Sequence, residues 1–507
     1  MLSSMPTSTL TQFLTLAEKM LGKQAILESL PQRFPYERDA NFMLATLPAC
    51  VVLPSTTAQV QWIVKTCNQL GLSYTARGAG TGLSGGSLAV SEAGVIISFA
   101  KMNKLLEINP KEGCAKVQAG LVNAKLNTAL VPHGLFYAPD PSSQSACTFG
   151  GNWAENAGGI HCAKYGVTTD HTLSLCWVTP QAEIVWTNAP KTTFAPNGLN
   201  IRQLLIGSEG TLGLLCEAWV KVLPKPTHVA VALMAFSSLE AASQAVSAII
   251  QAGINPAALE LIDALTVQCV NKAFGVGLPE TAQAVLLAEL DAFHPEELAY
   301  LLTALQSTIE PFMPLSVETA TSPERIAQLW KARKGAVASY GNISPAFYVM
   351  DPVIPRSKLA ETLTEINAIA KKYELVIANV FHAGDGNLHP HLMFEPTDVE
   401  QMERVKQASH EIMHLCVKVG GTLSGEHGIG LEKQGYLPDE LSSASIGWMR
   451  AIQEAIAPEG LCNANKILPL KGFCSEGGHS HATPAGSSSG GGRPLSPSSL
   501  ASADLWI

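Results

Sequence analysis

The sequence predicts an α+β protein with a glycine-rich, turn-rich first half and a second half of alternating helices and strands. Two observations predict it. Between about 46 and 225, short β-rich runs alternate with glycine loops: "ACVVLPS", "GVIISFA", "CAKVQAG", "LSLCWVT", "AEIVWTN" and "GLLCEAWVKVLPKP". Between about 226 and 420, amphipathic helical runs such as "SSLEAASQAVSAIIQAG" and "SPERIAQLWKARKGAVASY" alternate with apolar strands such as "AVLLAEL", "FYVMDPVIP" and "LVIANVFHAG". No internal repeat is visible.

Taken in order, residues 1–45 read as mostly helical. The start, "MLSSMPTSTLTQFLTLAEKM", lacks a cationic n-region, and Gln12 and Glu18 break its apolar stretch, so an amphipathic helix is expected and not a signal peptide. A helix over 57–71 leads into a short strand, "LSYTAR" (72–77). The loop that follows, "RGAGTGLSGG" (77–86), has Gly80, Gly82 and Gly85 at the G-x-G-x-x-G spacing of dinucleotide sites. That fingerprint requires a helix to open at the loop. Instead Val95–Ile97 reads as a buried strand, so the loop is read as a nest of backbone N–H groups able to wrap a phosphate. "LPKPTH" (223–228) reads as a linker and 399–421 as a helix ended by Gly420–Gly421. Residues 421–470 are expected to complete the site, and the Gly/Ser/Pro-rich 471–507 to be disordered.

Composition excludes several classes. The 507 residues are 47% hydrophobic with a net charge of −9, which argues against nucleic-acid binding. Eleven cysteines occur without any C-x-x-C, so no iron–sulfur cluster or zinc ribbon is encoded locally, and free thiols in a reducing compartment are expected. No apolar run is long enough to span a bilayer.

A second glycine system lies at 138–166, "APDPSSQSACTFGGNWAENAGGIHCAKYG", and a third at 206–218, "IGSEGTLGLLCEA". Together they suggest a long, flat ligand laid against backbone. The order "PSTTAQV … RGAGTGLSGGS … PDPSS … TFGGNWAENAGG … KYG … GSEGTLG" resembles the two-part FAD-binding domain of the vanillyl-alcohol oxidase/p-cresol methylhydroxylase superfamily. Over about 40–470 it resembles the branch holding D-lactate dehydrogenases, D-2-hydroxyglutarate dehydrogenases and the FAD-linked D subunit of glycolate oxidase. The resemblance implies an FAD-binding domain at 46–225, a substrate (cap) domain at 226–420 and a return to the FAD domain at 421–470. It implies FAD contacts from Arg77, Gly78, Ala79, Gly80, Thr81, Gly82, Leu83 and Ser84. Further contacts are implied for Pro139, Asp140, Ser142, Thr148, Gly150, Gly151, Asn156, Gly158, Gly159, Tyr165, Gly166, Glu209, Gly210 and Asn465. Some superfamily members attach FAD through a loop histidine; the matching slot here is Thr81, so the FAD is expected to be non-covalent. The run "CNANKILP" (462–469) departs from the usual N-P-x-K-I by Ala464.

The reactive groups are expected elsewhere. "VFHAGDGNLHPHLMF" (380–394) carries an Asp385–Gly386 hairpin signal that sets His382 across from His389, and "GGTLSGEHGIGLEK" (420–433) supplies Glu426 and His427. Two imidazoles and a carboxylate make a catalytic divalent-metal set. The resemblance implies that His382, His389 and Glu426 hold the metal, with zinc expected, and that His427 is the base. His391 is read as a supporting group. A zinc protease would present H-E-x-x-H on a helix; that motif is read as absent, which sets the metalloprotease class aside. Arg333, in "LWKARKGA", is the candidate grip on a substrate carboxylate. D-2-hydroxyglutarate dehydrogenases carry a lysine near the position of Asp351 for the distal carboxylate. Here Val349 and Met350 stand there, which favours glycolate or D-lactate. Electrons are expected to leave to a quinone or a partner subunit. The expected setting is cytoplasmic, peripheral on the inner membrane face, with a homodimer as one assembly. The alternatives are D-lactate oxidation as the main activity, or an FAD-binding subunit of a larger glycolate oxidase.

Overall fold

The computed structural model describes residues 7–41, 43–188 and 198–470; the 471–507 tail lies outside them. The α+β expectation is borne out. Three larger sheets carry the chain. The first runs Ile26–Leu27, Cys50–Val52, Val95–Ser98, Tyr74–Arg77, with the last three strands mutually parallel. The connection between the parallel neighbours Tyr74–Arg77 and Val95–Ser98 contains no helix, as expected for a loop that is not a Rossmann turn. The second sheet is antiparallel, ordered Leu105–Asn109, Cys114–Gln118, Leu214–Lys221, Thr172–Val178, Ile184–Trp186. One apolar core joins both sheets, the helix Thr57–Leu70 and Phe149 and Trp153. The N-terminal segment is less helical than expected: after the helix Thr7–Leu21, Ile26–Leu27 pairs with Cys50–Val52.

The third sheet has seven strands, ordered Ser316–Ala320, His228–Phe236, Ala284–Ala292, Ala258–Asp263, Ile377–His382, Pro390–Phe394, Ala346–Val349. Helices cover both faces, and the period-2 alternation of strands sorts residues between two cores. In His228–Phe236, Ala230, Ala232, Met234 and Phe236 enter the core under the helices Leu239–Gln251 and Pro295–Ile309. Val231, Leu233 and Ala235 enter the core under Ala264–Phe274 and Pro323–Ser339. The same alternation puts Glu260, between Leu259 and Leu261, and Glu289 and Asp291, beyond Val285 and Leu287, on the second face. Carboxylates in otherwise apolar strands must find partners there.

Two local expectations are corrected. Asp385–Gly386 is not a two-residue hairpin turn. Seven residues, 383–389, separate the strands Ile377–His382 and Pro390–Phe394, with His382 bridged to Asn387 and Gly386 in the left-handed region (φ 83°). The strand in "FYVMDPVIP" stops at Val349, because the Asp351 carboxylate serves a distant loop and Pro352 has no N–H to continue a ladder.

Candidate functional site

His382 ends its strand, and His389 precedes the next one across the 383–389 connection. Their rings meet at 5.2 Å and 87°. Glu426 Oε1 lies 3.3 Å from the Nε2 of both. The far nitrogens are held from behind: His382 Nδ1 is 2.8 Å from Glu260 Oε1, and His389 Nδ1 is 3.4 Å from the Met350 carbonyl. With Nδ1 donating to these oxygens, each ring once neutral would direct its Nε2 lone pair at the common point, the tautomer a metal ligand needs. All three residues bring ligand atoms within 4.8 Å of one another, so the set fits a divalent cation. His427 stacks on His389 at 5.0 Å and 9°. Burial lowers the His427 pKa despite the nearby Asp351 carboxylate, which keeps the imidazole neutral and able to accept a proton.

Glu426 and His427 sit in a loop that has no sheet or helix of its own; two buried carboxylates hold it. Asp351 Oδ2 accepts from Ser424 Oγ (2.5 Å) and from the backbone N–H of Gly425 (3.0 Å), Glu426 (3.1 Å) and His427 (2.8 Å). Its Oδ1 accepts from Asn387 (3.0 Å), so the 383–389 connection is tied to the same residue. Glu209 Oε1 takes the far end of the loop, accepting from Ile429 N (2.7 Å) and Gly430 N (3.0 Å).

Arg333 is brought to the site but not as an unengaged cation. It is buried, and its Nε and Nη2 each lie 2.6 Å from Glu260 Oε2. Glu260 therefore bridges Arg333 and His382, and although burial opposes ionisation, these two partners hold its carboxyl below the ordinary range. His391 lies behind, against Tyr340 and Phe347; burial pushes it down to about 3.

The glycine loops named from the sequence converge beside this set. A Cβ on Gly78 would stand 2.4 Å from Thr148 Oγ1 and 3.4 Å from Gly151 N, so only hydrogen fits there. The cavity between them is lined by Gly78, Gly86, Gly150, Gly151, Gly210 and Leu215. Thr148 Oγ1 and Asn152 Nδ2 are buried without a protein partner. Bare backbone and unmet polar atoms fit a long phosphate-bearing cofactor such as FAD. Gly158 carries the cradle to the reactive groups: its Cβ would be 2.9 Å from Glu426 Oε2.

Several of the named residues do other work. Arg77 directs Nη2 at the Arg38 carbonyl (2.6 Å) and Nη1 at Ser87 (3.2 Å), with its guanidinium over Tyr36. The 82–84 carbonyls accept from Ala40, Asn41 and Leu431. Ser142 and Asn465 are exposed. The asparagine that turns inward is Asn463, which donates to Gly86 O (2.9 Å) and Glu209 O (2.6 Å). Beside it Lys466 is buried and donates to Gly86 O (2.8 Å) and Leu88 O (2.5 Å). Tyr165 donates to Asp291. Asp140 is 2.9 Å from His161 Nδ1, whose Nε2 is 3.1 Å from Glu289, so His161 ties the cradle to the seven-stranded sheet. Burial lowers the His161 pKa, but the two carboxylates outweigh it and raise it to about 10. This linkage is fully present below the unfolded histidine value of about 6.5 and is lost as pH rises toward the folded value. The thermal midpoint of the wild type should therefore fall between pH 7 and 10 more steeply than that of His161→Gln. Parallel slopes in a pH series of melts would show that His161 is not protonated.

Sequence reading passed over Glu260, Asp351 as loop anchor, His161 and Asn463. Glu260 had a signal, a carboxylate amid the apolar "AALELI". The expected absence of H-E-x-x-H is corrected: His410-Glu411-Ile412-Met413-His414 has that spacing, on the helix Val399–Lys418. Glu411 there turns onto Lys372 (2.6 Å) and Tyr373 (3.0 Å), away from the histidines, so no protease centre forms.

Comparison with known proteins agrees with this geometry. Residues 48–188 match the FAD binding domain model, and 225–467 match that of FAD linked oxidases, C-terminal domain. The chain is 40% identical to the glycolate oxidase subunit GlcD of Escherichia coli (strain K12), over 90% of this chain and 91% of that protein. It is 36% identical to the GlcD of Bacillus subtilis (strain 168), over 88% and 94%. It is 32% identical to a D-lactate dehydrogenase of Anaerostipes hadrus, over 83% and 89%. Among solved structures, p-cresol methylhydroxylase superposes with a TM-score of 0.78 at 16% identity, covering 91% of this chain and 97% of that one. That likeness is one of fold. No described helix is long and apolar enough to cross a membrane.

Proposed function

The chain belongs to the FAD-linked oxidases and is an FAD-dependent oxidoreductase, and from that premise we propose that it oxidises a small 2-hydroxyacid, glycolate first and D-lactate next, to the 2-oxoacid. The observation that carries this reading is the convergence of His382, His389 and Glu426 beside Gly158 of the cofactor cradle. A divalent cation held there, zinc in our reading, would polarise the substrate hydroxyl and fix it beside the carboxylate. FAD in the glycine cradle supplies the hydride acceptor. His427, neutral and stacked on His389, takes the hydroxyl proton. Glu260 orients His382 and balances the charge of Arg333, leaving Arg333 to face the substrate carboxylate only through what Glu260 does not occupy. Electrons then pass to a quinone or a partner subunit, at a cytoplasmic, membrane-peripheral location.

A monocarboxylate is favoured because, among the described residues, the positions considered for a second cation are apolar, exposed or already paired. Met350 is buried and apolar, Lys331 and Lys334 are exposed, and the buried Lys433 is taken by Glu432 (3.0 Å) and the Gly428 carbonyl (3.0 Å). An unpaired second carboxylate in a partly buried site should cost several kcal/mol, at least about a hundredfold in kcat/KM. The methyl that separates D-lactate from glycolate is worth only about 1–3 kcal/mol. Rates with glycolate, D-lactate, L-lactate and D-2-hydroxyglutarate under one dye acceptor test this. Glycolate and D-lactate should both turn over, with L-lactate poor. Preference for D-2-hydroxyglutarate would overturn the reading, and D-lactate far ahead of glycolate would reassign the main substrate. Because Thr81 offers no ring nitrogen, acid precipitation of the yellow protein should leave the flavin in the supernatant; colour retained in the pellet contradicts a dissociable FAD.

A further inference from the structure

We propose that Glu155 and Glu209 share a single proton in the wall of the glycine cradle, and that a neutral Glu155 is what lets an anionic cofactor settle there. This rests on the cradle holding FAD and is independent of the substrate. Both carboxylates close on the same two glycines. A Cβ on Gly86 would stand 2.9 Å from Glu155 Oε1 and 3.1 Å from Glu209 Oε2. Those oxygens are therefore at most about 6 Å apart, near enough for like charges to oppose each other. Gly428, next to His427, meets the same two side chains. Both acids also line the cavity between Gly78, Gly150 and Gly210. Ser84 Oγ lies 3.7 Å from the Gly86 point and is fully buried without a partner.

The two acids are not equivalent. Glu209 Oε1 accepts from the Ile429 and Gly430 N–H groups, and such donors favour the charged form. Glu155 Oε2 is buried and receives no donor. The proton therefore belongs on Glu155, and Glu209 stays a carboxylate. The surrounding charges agree. Lys466 reaches the Gly86 carbonyl (2.8 Å), and Lys433 reaches the Gly428 carbonyl (3.0 Å) and pairs with Glu432. Asp39 accepts from Gly85 N (2.8 Å), with Arg77 nearby. With Glu155 neutral, Asp39, Glu209 and Glu432 balance Arg77, Lys433 and Lys466. An ionised Glu155 would add a buried negative charge with no counter-ion left for it. Burial, and then the Glu209 charge, accordingly push the Glu155 carboxyl well above its ordinary range. Burial also pushes Lys466 down, to about 7. A diphosphate cofactor brings further negative charge into this cavity. Where Glu155 has lost its proton, binding must return one from solvent to a Glu155 oxygen. That proton is present below the raised value and lost as pH rises through it, so FAD affinity falls on the alkaline side.

The test is infrared spectroscopy of the holoenzyme, with FAD release on dilution followed by flavin fluorescence. At pH 7 the wild type should show a carboxylic-acid C=O band that Glu155→Gln lacks. Labelling glutamate side-chain carboxyls with ¹³C should shift that band in the wild type, which assigns it to a glutamate, and not to Asp39, even if the variant folds poorly. The FAD dissociation constant of the wild type, divided by that of Glu155→Gln, should rise with pH by up to about tenfold per unit until the band fades. Lys466 is present in both proteins, so its own titration largely cancels in the ratio. Absence of the band at pH 7 overturns the proposal, as does a band that fades by pH 9 while the ratio stays flat. A band that persists to pH 9 upholds it, the proton being held throughout. Protein that purifies without flavin would instead fail the cradle reading.

Discussion

His389→Ala should empty the first metal set and lower kcat/KM for glycolate by at least about a thousandfold, roughly 4 kcal/mol of transition-state stabilisation, with FAD still bound. His389 is the centre of the arrangement. Its Nε2 shares Glu426 Oε1 with His382, and its ring supports His427. The substitution removes one of three ligands and lets the proposed base tilt, so two effects fall together. Loss of a general base alone costs about 10²–10⁴-fold. The cofactor cradle is built from other residues, Gly78, Gly150 and Gly151 among them, so the flavin spectrum should not change. Metal analysis, flavin absorbance and kcat/KM on one preparation separate the two sites. Near wild-type activity in protein shown to hold no metal would sink the catalytic-metal reading. Flavin lost along with the metal would mean the substitution had disrupted the fold.

How much of this site was legible in the sequence follows from the kind of contact each residue makes. His382, His389, Glu426 and His427 could be found because their spacing and glycine-rich surroundings are local features of the chain. Elements elsewhere in the fold were legible for the same reason: the helices Thr57–Leu70 and Pro323–Ser339 by their periodicity, and the strand Val95–Ser98 as a short apolar run. The residues that orient the ligands were not legible, since their roles depend on pairings across the fold. Glu260 meets His382 only because Ala258–Asp263 lies antiparallel to Ile377–His382, in a register that sets Glu260 opposite His382. Arg333 reads as a carboxylate grip until that register places Glu260 under it. Of two asparagines two positions apart, Asn463 turns inward and Asn465 outward, although both adopt positive φ (44° and 62°); no spacing rule separates them.

Asp351→Asn should lower kcat by at least about a hundredfold and the thermal midpoint by several degrees, though Asp351 bears no proposed chemical role. One oxygen of this fully buried carboxylate receives four donors, from Ser424, Gly425, Glu426 and His427, and the other receives Asn387. An amide keeps the shape but turns one acceptor into a donor, so either the four-donor cluster or Asn387 faces an N–H. Each buried donor left unmet costs about 1–3 kcal/mol. If the amide oxygen keeps the four donors, Asn387 is released and the 383–389 connection loosens under His389. If it keeps Asn387, the Glu426–His427 loop loses its four-donor anchor and is left with Glu209 and Lys433 at its far end and one backbone bond from Gly425. Either way one half of the metal set drifts from the other, and a displacement of this kind far from the reacting atoms can cost about a hundredfold. The pH behaviour has a definite sign. Burial alone would raise the Asp351 pKa, but His427, Lys433 and His389 outweigh it and hold the carboxyl below its ordinary value. Its contribution is therefore complete above the unfolded carboxyl value of about 3.9 and is lost as pH falls through the folded one. The stability gap between wild type and Asp351→Asn should be constant from pH 5 to 7 and shrink only in stronger acid. A gap that closed near pH 6 would mean that the histidines, and not Asp351, govern the loop. Full activity in Asp351→Asn would mean that the remaining anchors, Glu209 and Lys433 among them, suffice to place Glu426 and His427.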